Sequence, residues 1–183
     1  MNSQDSLTDS RKPLESTLSS GIYVDQEGDW YYKEEKIIRE DILELFLTNL
    51  SLASGGRFFI EWGGQRCTLE VADTPFIITR VDRIQSKDEQ REEILLRLKH
   101  FPSPEILDPS TLQVGKGNIP YCTIRNGQHR ARFSRPAYYQ LAAWIEYDPD
   151  SDSFFLELND TRYHLVVPDQ AAGRDALGER ESG

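Results

Sequence analysis

Residues Pro109–Ile145 read PSTLQVGKGNIPYCTIRNGQHRARFSRPAYYQLAAWI. Inside this stretch, Pro120–Ile124 and Gln128–Phe133 are strand-like runs on either side of Asn126-Gly127, a dipeptide that accepts the positive φ angles of a hairpin turn. Ser134 then has the chemistry of a helix N-cap. Pro136 is tolerated in the first turn, and Tyr138, Leu141, Ala142 and Ile145 are spaced as a buried stripe. A hairpin running into a helix predicts an α+β protein. The same stretch carries Lys116, Arg125, Arg130, Arg132 and Arg135 and none of the chain's 31 Asp and Glu residues, although the net charge of the whole is −10. It is a basic window in an acidic molecule.

Upstream of the window, Ile22–Val24 and Trp30–Tyr32 read as two short strands around the turn DQEGD, where Gly28 can supply a positive φ. Arg39–Leu50 reads as a helix. Glu40, Asp41 and Glu44 lie in its first turns, where the helix dipole favours negative charge, and Ile42, Leu45, Phe46 and Asn49 follow one face. Arg57–Trp62 and Arg66–Val71 flank Gly63-Gly64, a second hairpin signal. Phe76–Ile84 reads as a strand; the charges and leucines around Glu93–Lys99 could make a helix from Asp88 to His100, but a strand paired with Phe76–Ile84 across the polar loop QSKDEQR is preferred. Downstream, Phe154–Leu158 and Tyr163–Val167 bracket an Asn159-Asp160 turn.

This order predicts two related strand-strand-helix-strand-strand units packed together, residues 21–100 and 120–167. A Pro- and Gly-rich connector, 101–119, joins them. Residues 1–20 and 168–183 are too polar to offset the entropy of ordering and read as a flexible leader and tail.

Composition narrows the function. No apolar run reaches the 18 residues of a membrane span, and the polar start, with Asp5 and Asp9, lacks the apolar block of a secretory signal. Cys67 and Cys122 are far apart, which suits neither a disulfide framework nor a zinc site. Two reduced, buried thiols in the cytoplasm are expected. With three histidines and no clustering, no metal set is visible. A pI near 4.8 disfavours nucleic acid as the main partner. No phosphate-loop, dinucleotide-binding, nucleophile-elbow or metalloprotease motif occurs, so no cofactor is expected and catalysis has no support.

The basic window supplies the candidate site. Arg130 and Arg132 alternate with Ala131 and Phe133 and should share one strand face, and Arg135 follows at the strand-to-helix junction beside unpaired backbone N–H groups. Guanidinium forks at a helix N-terminus suit a phosphate or carboxylate. Arg125 joins them, as does Arg39 at the corresponding start of the first helix. His129 is a candidate proton donor or contact. Trp30 or Tyr139 could offer a stacking face, and Asp73 a polar contact. Each has a structural alternative: the arginines can pair with acids of the other unit, the aromatics can be core, and Asp73 can fix the turn before the strand that starts at Phe76.

Gly28-x-Trp30, Ile37-x-Arg39, Leu45-Phe46, Asp73-x-Pro75-Phe76, Pro120-Tyr121, Arg125, Ala131-Arg132 and Arg135 with Tyr138-Tyr139-x-Leu141 resemble an uncharacterised bacterial family, the domain-of-unknown-function family twelve-eighty-five. The resemblance covers residues 21 to 165. It implies a duplicated β-rich fold whose second unit is superficially pleckstrin-homology-like, with a pocket between the units for a nucleotide-like ligand in signalling. The chain departs from the family at Tyr32, where histidine is usual, and at Lys99-His100, where threonine-asparagine is usual. The expected function is thus a ligand-binding or signalling protein for a small anion. The alternative is a protein-interaction adaptor without a small ligand.

Overall fold

In the computed structural model, which describes residues 17–86 and 91–166, the first strand starts inside the expected leader. β1 (Thr17–Val24) pairs in parallel with a later strand, Thr17 to Ser19 lying against Arg66 to Thr68. This run, whose one apolar residue is Leu18, is held through its backbone ladder, which no apolar pattern announces. A bulge between Ser19 and Ile22 interrupts the ladder: Gly21 has φ +68°, and the Ser20 hydroxyl donates to the Thr68 carbonyl at 2.5 Å while accepting from Ile22 N–H at 3.0 Å. The rest of the expected leader, and the expected tail, lie outside the described residues.

β2 (Trp30–Tyr32) and β3 (Glu35–Lys36) follow, then α1 (Glu40–Thr48), whose buried residues are Leu43 and Leu47, one turn apart. β4 (Leu50–Leu52), β5 (Phe58–Trp62) and β6 (Gln65–Val71) complete a six-stranded sheet ordered β3-β2-β1-β6-β5-β4. Gly63 and Gly64 have φ of +55° and +76°, and the β5–β6 hairpin turns on them as expected.

The second sheet gathers β7 (Phe76–Gln85), β8 (Glu92–Leu98), β9 (Glu105–Ile106), β10 (Gln113–Gly115), β11 (Ile119–Ile124) and β12 (His129–Phe133), ordered β10-β11-β12-β7-β8-β9. Glu93–Lys99 is therefore a strand, as read. Two groupings differ from expectation. β7 and β8, grouped by sequence with the first unit, belong to the sheet of the basic hairpin, because β7 pairs in parallel with β12. The supposed connector supplies both edge strands, β9 and β10, the latter pairing with β11. The β11–β12 hairpin turns on four residues rather than two, with Arg125, Asn126 and Gly127 all at positive φ.

α2 (Arg135–Ala142) starts as predicted. Ser134 accepts from Ala137 N–H, and Gln140 Oε1 accepts from Val81 N–H at 3.0 Å, docking the helix on β7. A small third sheet follows: β13 (Ile145–Asp148), β14 (Ser153–Leu158) and β15 (Thr161–His164). Its Asn159-Asp160 turn has φ of +51° and +60°. The Asn159 amide exchanges two hydrogen bonds with the backbone of Glu92 at 2.8 and 2.9 Å, and Val114 N–H donates to the Val166 carbonyl at 2.8 Å. These bonds tie the third sheet to both sides of the second.

The molecule is α+β and mostly strand, with two helices among the described residues. The strands before and after α1 share one sheet, whereas those flanking α2 fall in different sheets, so the pairing does not repeat between the halves. One apolar core runs through all three layers, from Trp30, Leu43 and Leu47 through Phe76, Ile78 and Phe133 to Leu141 and Leu156. No helix of the described residues is long and apolar enough to cross a membrane.

Candidate functional site

The arginines of the basic window are mostly engaged inside the protein. The β1–β2 turn explains why. Asp25 Oδ1 accepts from the backbone N–H groups of Glu27 and Asp29 at 2.9 and 2.8 Å, which folds the turn over Gly28 and presents the Gln26 carbonyl to the second sheet. Arg132, on β12, donates to that carbonyl. Its guanidinium lies 3.6 Å from Glu27 Oε1, and its buried Nε faces Asp73 Oδ2 at 4.0 Å. Beside it, Lys99 donates to the Glu27 carbonyl at 3.0 Å and to Asp29 Oδ1 at 2.6 Å. Arg125 sits at the other end of the hairpin and donates to the Leu47 carbonyl at 2.8 Å, at the C-terminal end of α1 where a cation is favoured. Two arginines thus join the second sheet to the first sheet and its helix, chiefly through backbone carbonyls.

Arg132 and Asp73 are brought together, Arg125 lies near enough to His129 for its charge to act there, Arg135 and Tyr139 share α2, and Trp30 and Arg39 have separate surroundings. Asp73 accepts from the Tyr121 hydroxyl at 2.8 Å; burial first, then this carboxylate, pushes the phenol above its ordinary range. The turn before Pro75 is held instead by Thr74, whose hydroxyl accepts from Phe76 N–H at 3.3 Å and donates to the Arg130 carbonyl. The Arg130 guanidinium stacks 3.6 Å over the Tyr121 ring. Gly115 makes room for that stack, since a Cβ there would lie 2.7 Å from Tyr121 Cε2. His129 is buried against Phe76, Nδ1 has no partner among the described residues, and burial followed by the charge of Arg125 lowers its pKa. Trp30 is fully buried against Phe46, so it is core. Arg39 is exposed and paired with Asp41 two residues on. Arg135 is exposed and has no hydrogen bond or ion pair among the described residues, and Tyr139 is 67% exposed beside Tyr138.

A concavity beside α2 contains none of these candidates. It is a wedge of about 510 Å³ between α2, the β10–β11 edge and the third sheet. Tyr138 and Ala142 form one wall, Val114 and Pro120 another, and Ile145, Tyr147, Phe154 and Leu165 the third. Tyr147 and Phe154 are cross-strand partners with ring centroids 5.3 Å apart and planes tilted by 55°. Asp152, at φ +48° in the β13–β14 turn, stands at the rim and accepts from the Tyr147 hydroxyl at 2.7 Å. That bond holds the phenol above its ordinary pKa. Asp148 secures the turn by accepting from Ser151 Oγ at 2.8 Å and Asp150 N–H at 3.0 Å, and these bonds hold its carboxyl below the ordinary range. The reading from sequence missed Tyr147 and Asp152 because it ran the chain from helix to strand without β13. The Asp148-Pro149-Asp150 turn ahead of Phe154 was the available signal.

Neither cysteine forms a disulfide; Cys122 is buried, and burial pushes its thiol up to about 12, whereas Cys67 is half-buried rather than buried as expected. Among the described residues, no group of three or more His, Cys, Asp and Glu is placed to hold a metal.

No family model and no curated protein sequence matches the chain. Two solved structures do. A DUF1285 family protein from Silicibacter pomeroyi DSS-3 superposes with a TM-score of 0.66 at 17% identity, over 85% of this chain and 84% of its own. A second, from Shewanella baltica OS155, gives 0.56 at 16% identity, over 70% of this chain and 93% of its own. The chain therefore has the fold of these DUF1285 family proteins, a family of unknown function, in agreement with its motif resemblance.

Proposed function

We propose that the protein binds a small, largely apolar molecule in the wedge between α2 and the third sheet. The observation that carries this reading is the wedge itself, about 510 Å³ and lined by aromatic and aliphatic side chains with Asn118, Asp152 and Ser153 as its polar groups. Size and lining are those of a small-molecule pocket. The anionic, nucleotide-like ligand expected between the units has less support, because Arg132 and Arg125 are engaged with the protein's own carbonyls. Two free, well-separated cysteines accord with a reducing compartment such as the cytoplasm.

A second reading, a pleckstrin-homology-like adaptor without a small ligand, draws on Arg135, exposed and without a partner among the described residues, and on Tyr139 beside it. A neutral apolar fluorophore, N-phenylnaphthylamine, separates the two. Under the wedge reading its emission rises saturably at one site per chain, and Ala142→Trp and Val114→Phe abolish the rise while circular dichroism and the melting curve stay native. Absent saturable binding, or binding untouched by both variants, the wedge reading fails.

A further inference from the structure

We propose that the wedge selects an organic cation, an amine or quaternary ammonium carried on an apolar body, with its charged head between the Asp152 carboxylate and the rings of Tyr147 and Phe154. This rests on the wedge being the binding site. Among the described residues Asp152 is the one charged side chain in its lining, with no Lys or Arg. The carboxylate is fixed by the Tyr147 hydroxyl at Oδ1, and Oδ2 has no hydrogen bond among the described residues. An anion would meet this carboxylate without a compensating cation, and a neutral ligand would leave it unused. A cation gains from the carboxylate and from two tilted ring faces 5.3 Å apart. The field of the whole chain, net −10 with Asp148 and Asp150 on the same turn, draws a cation to this mouth. The apolar walls behind take the ligand's body.

The experiment compares para-hydroxyphenyl-trimethylammonium with its neutral isostere para-tert-butylphenol and with the anion para-hydroxybenzoate, by isothermal titration to the full chain. Between the first two, shape is held while charge changes. The cation is expected to bind about tenfold more tightly than the isostere, as cation–π contact plus a carboxylate provides. Read as the ratio of the cation's affinity to the isostere's on the same variant, Asp152→Asn and, separately, Phe154→Leu should each shrink the tenfold advantage. Asparagine keeps the shape and the tolerance for positive φ at that turn. If the isostere binds as well as the cation, the cation proposal is overturned and the wedge reading stands. Tightest binding by para-hydroxybenzoate also overturns it. If none of the three binds, both readings fall.

Discussion

Gly28 and Ile77 are in direct contact across the two large sheets: a Cβ added at Gly28 would lie 2.4 Å from Ile77 Cγ1. Gly28 also holds φ at +73°, which a side chain resists. The turn on which Lys99 and Arg132 converge is therefore seated on the second sheet by the absence of one methyl group. Gly28→Ala should destabilise the protein by about 2–4 kcal/mol, the sum of overpacking and an unfavourable φ. Adding Ile77→Ala should remove the clash, so urea denaturation of the double variant should show less than the sum of the two single losses. Strict additivity would mean that the turn does not rest on Ile77.

Arg132 and Arg135 are both window arginines, and the structure gives them different work. Arg132 is 16% exposed and bonds the Gln26 carbonyl, whereas Arg135 has no partner among the described residues. Arg132→Ala should cost about 1.5–3 kcal/mol, the range for a hydrogen bond made by a charged group. Arg135→Ala should leave the denaturation midpoint where it is. The reverse pattern, together with a phosphate-induced thermal shift that Arg132→Ala abolishes, would return Arg132 to a ligand role.

Local chemistry was legible wherever it was also sufficient. Gly63-Gly64 and Asn159-Asp160 specify their turns by accepting positive φ, and Ser134 caps α2 with its own hydroxyl. Which strands meet across the molecule was not legible. The buried apolar run Phe76-Ile77-Ile78 serves a partner from either half equally well, and only packing places it beside β12. The wedge was hidden for the same reason, since Tyr138 from a helix and Tyr147 from a strand meet only in the folded chain. Arg132 was chosen for its charge, yet its bonded partner is a carbonyl, which sequence does not advertise.

His129 should set a pH dependence apart from that of the carboxylates. Burial, then Arg125, lowers its folded pKa, so below the unfolded value of about 6.5 the unfolded chain takes a proton that the folded chain refuses. Stability is thus fully present above that value and declines as pH falls towards the folded pKa, by no more than about 1.4 kcal/mol per pH unit. His129→Phe, which keeps a ring against Phe76, should flatten the denaturation midpoint between pH 7 and pH 5.5. An equal slope in that variant would assign the loss to other groups.

The start of β1 should also prove structural. Thr17, Leu18 and Ser19 pair with Arg66, Cys67 and Thr68, and the Ser20 hydroxyl bridges Thr68 and Ile22. A chain beginning at Gly21 loses these bonds, and one edge of β6 loses its partner between Arg66 and Thr68. At about 0.5–1.5 kcal/mol for each bond lost, it should be about 2–4 kcal/mol less stable than a chain beginning at Thr17. The bared edge can pair with another copy, so sedimentation should also show concentration-dependent association in the shorter chain alone. Equal stability of the two would show that pairing before Ser20 contributes nothing to the fold, and that β6 tolerates an open edge there.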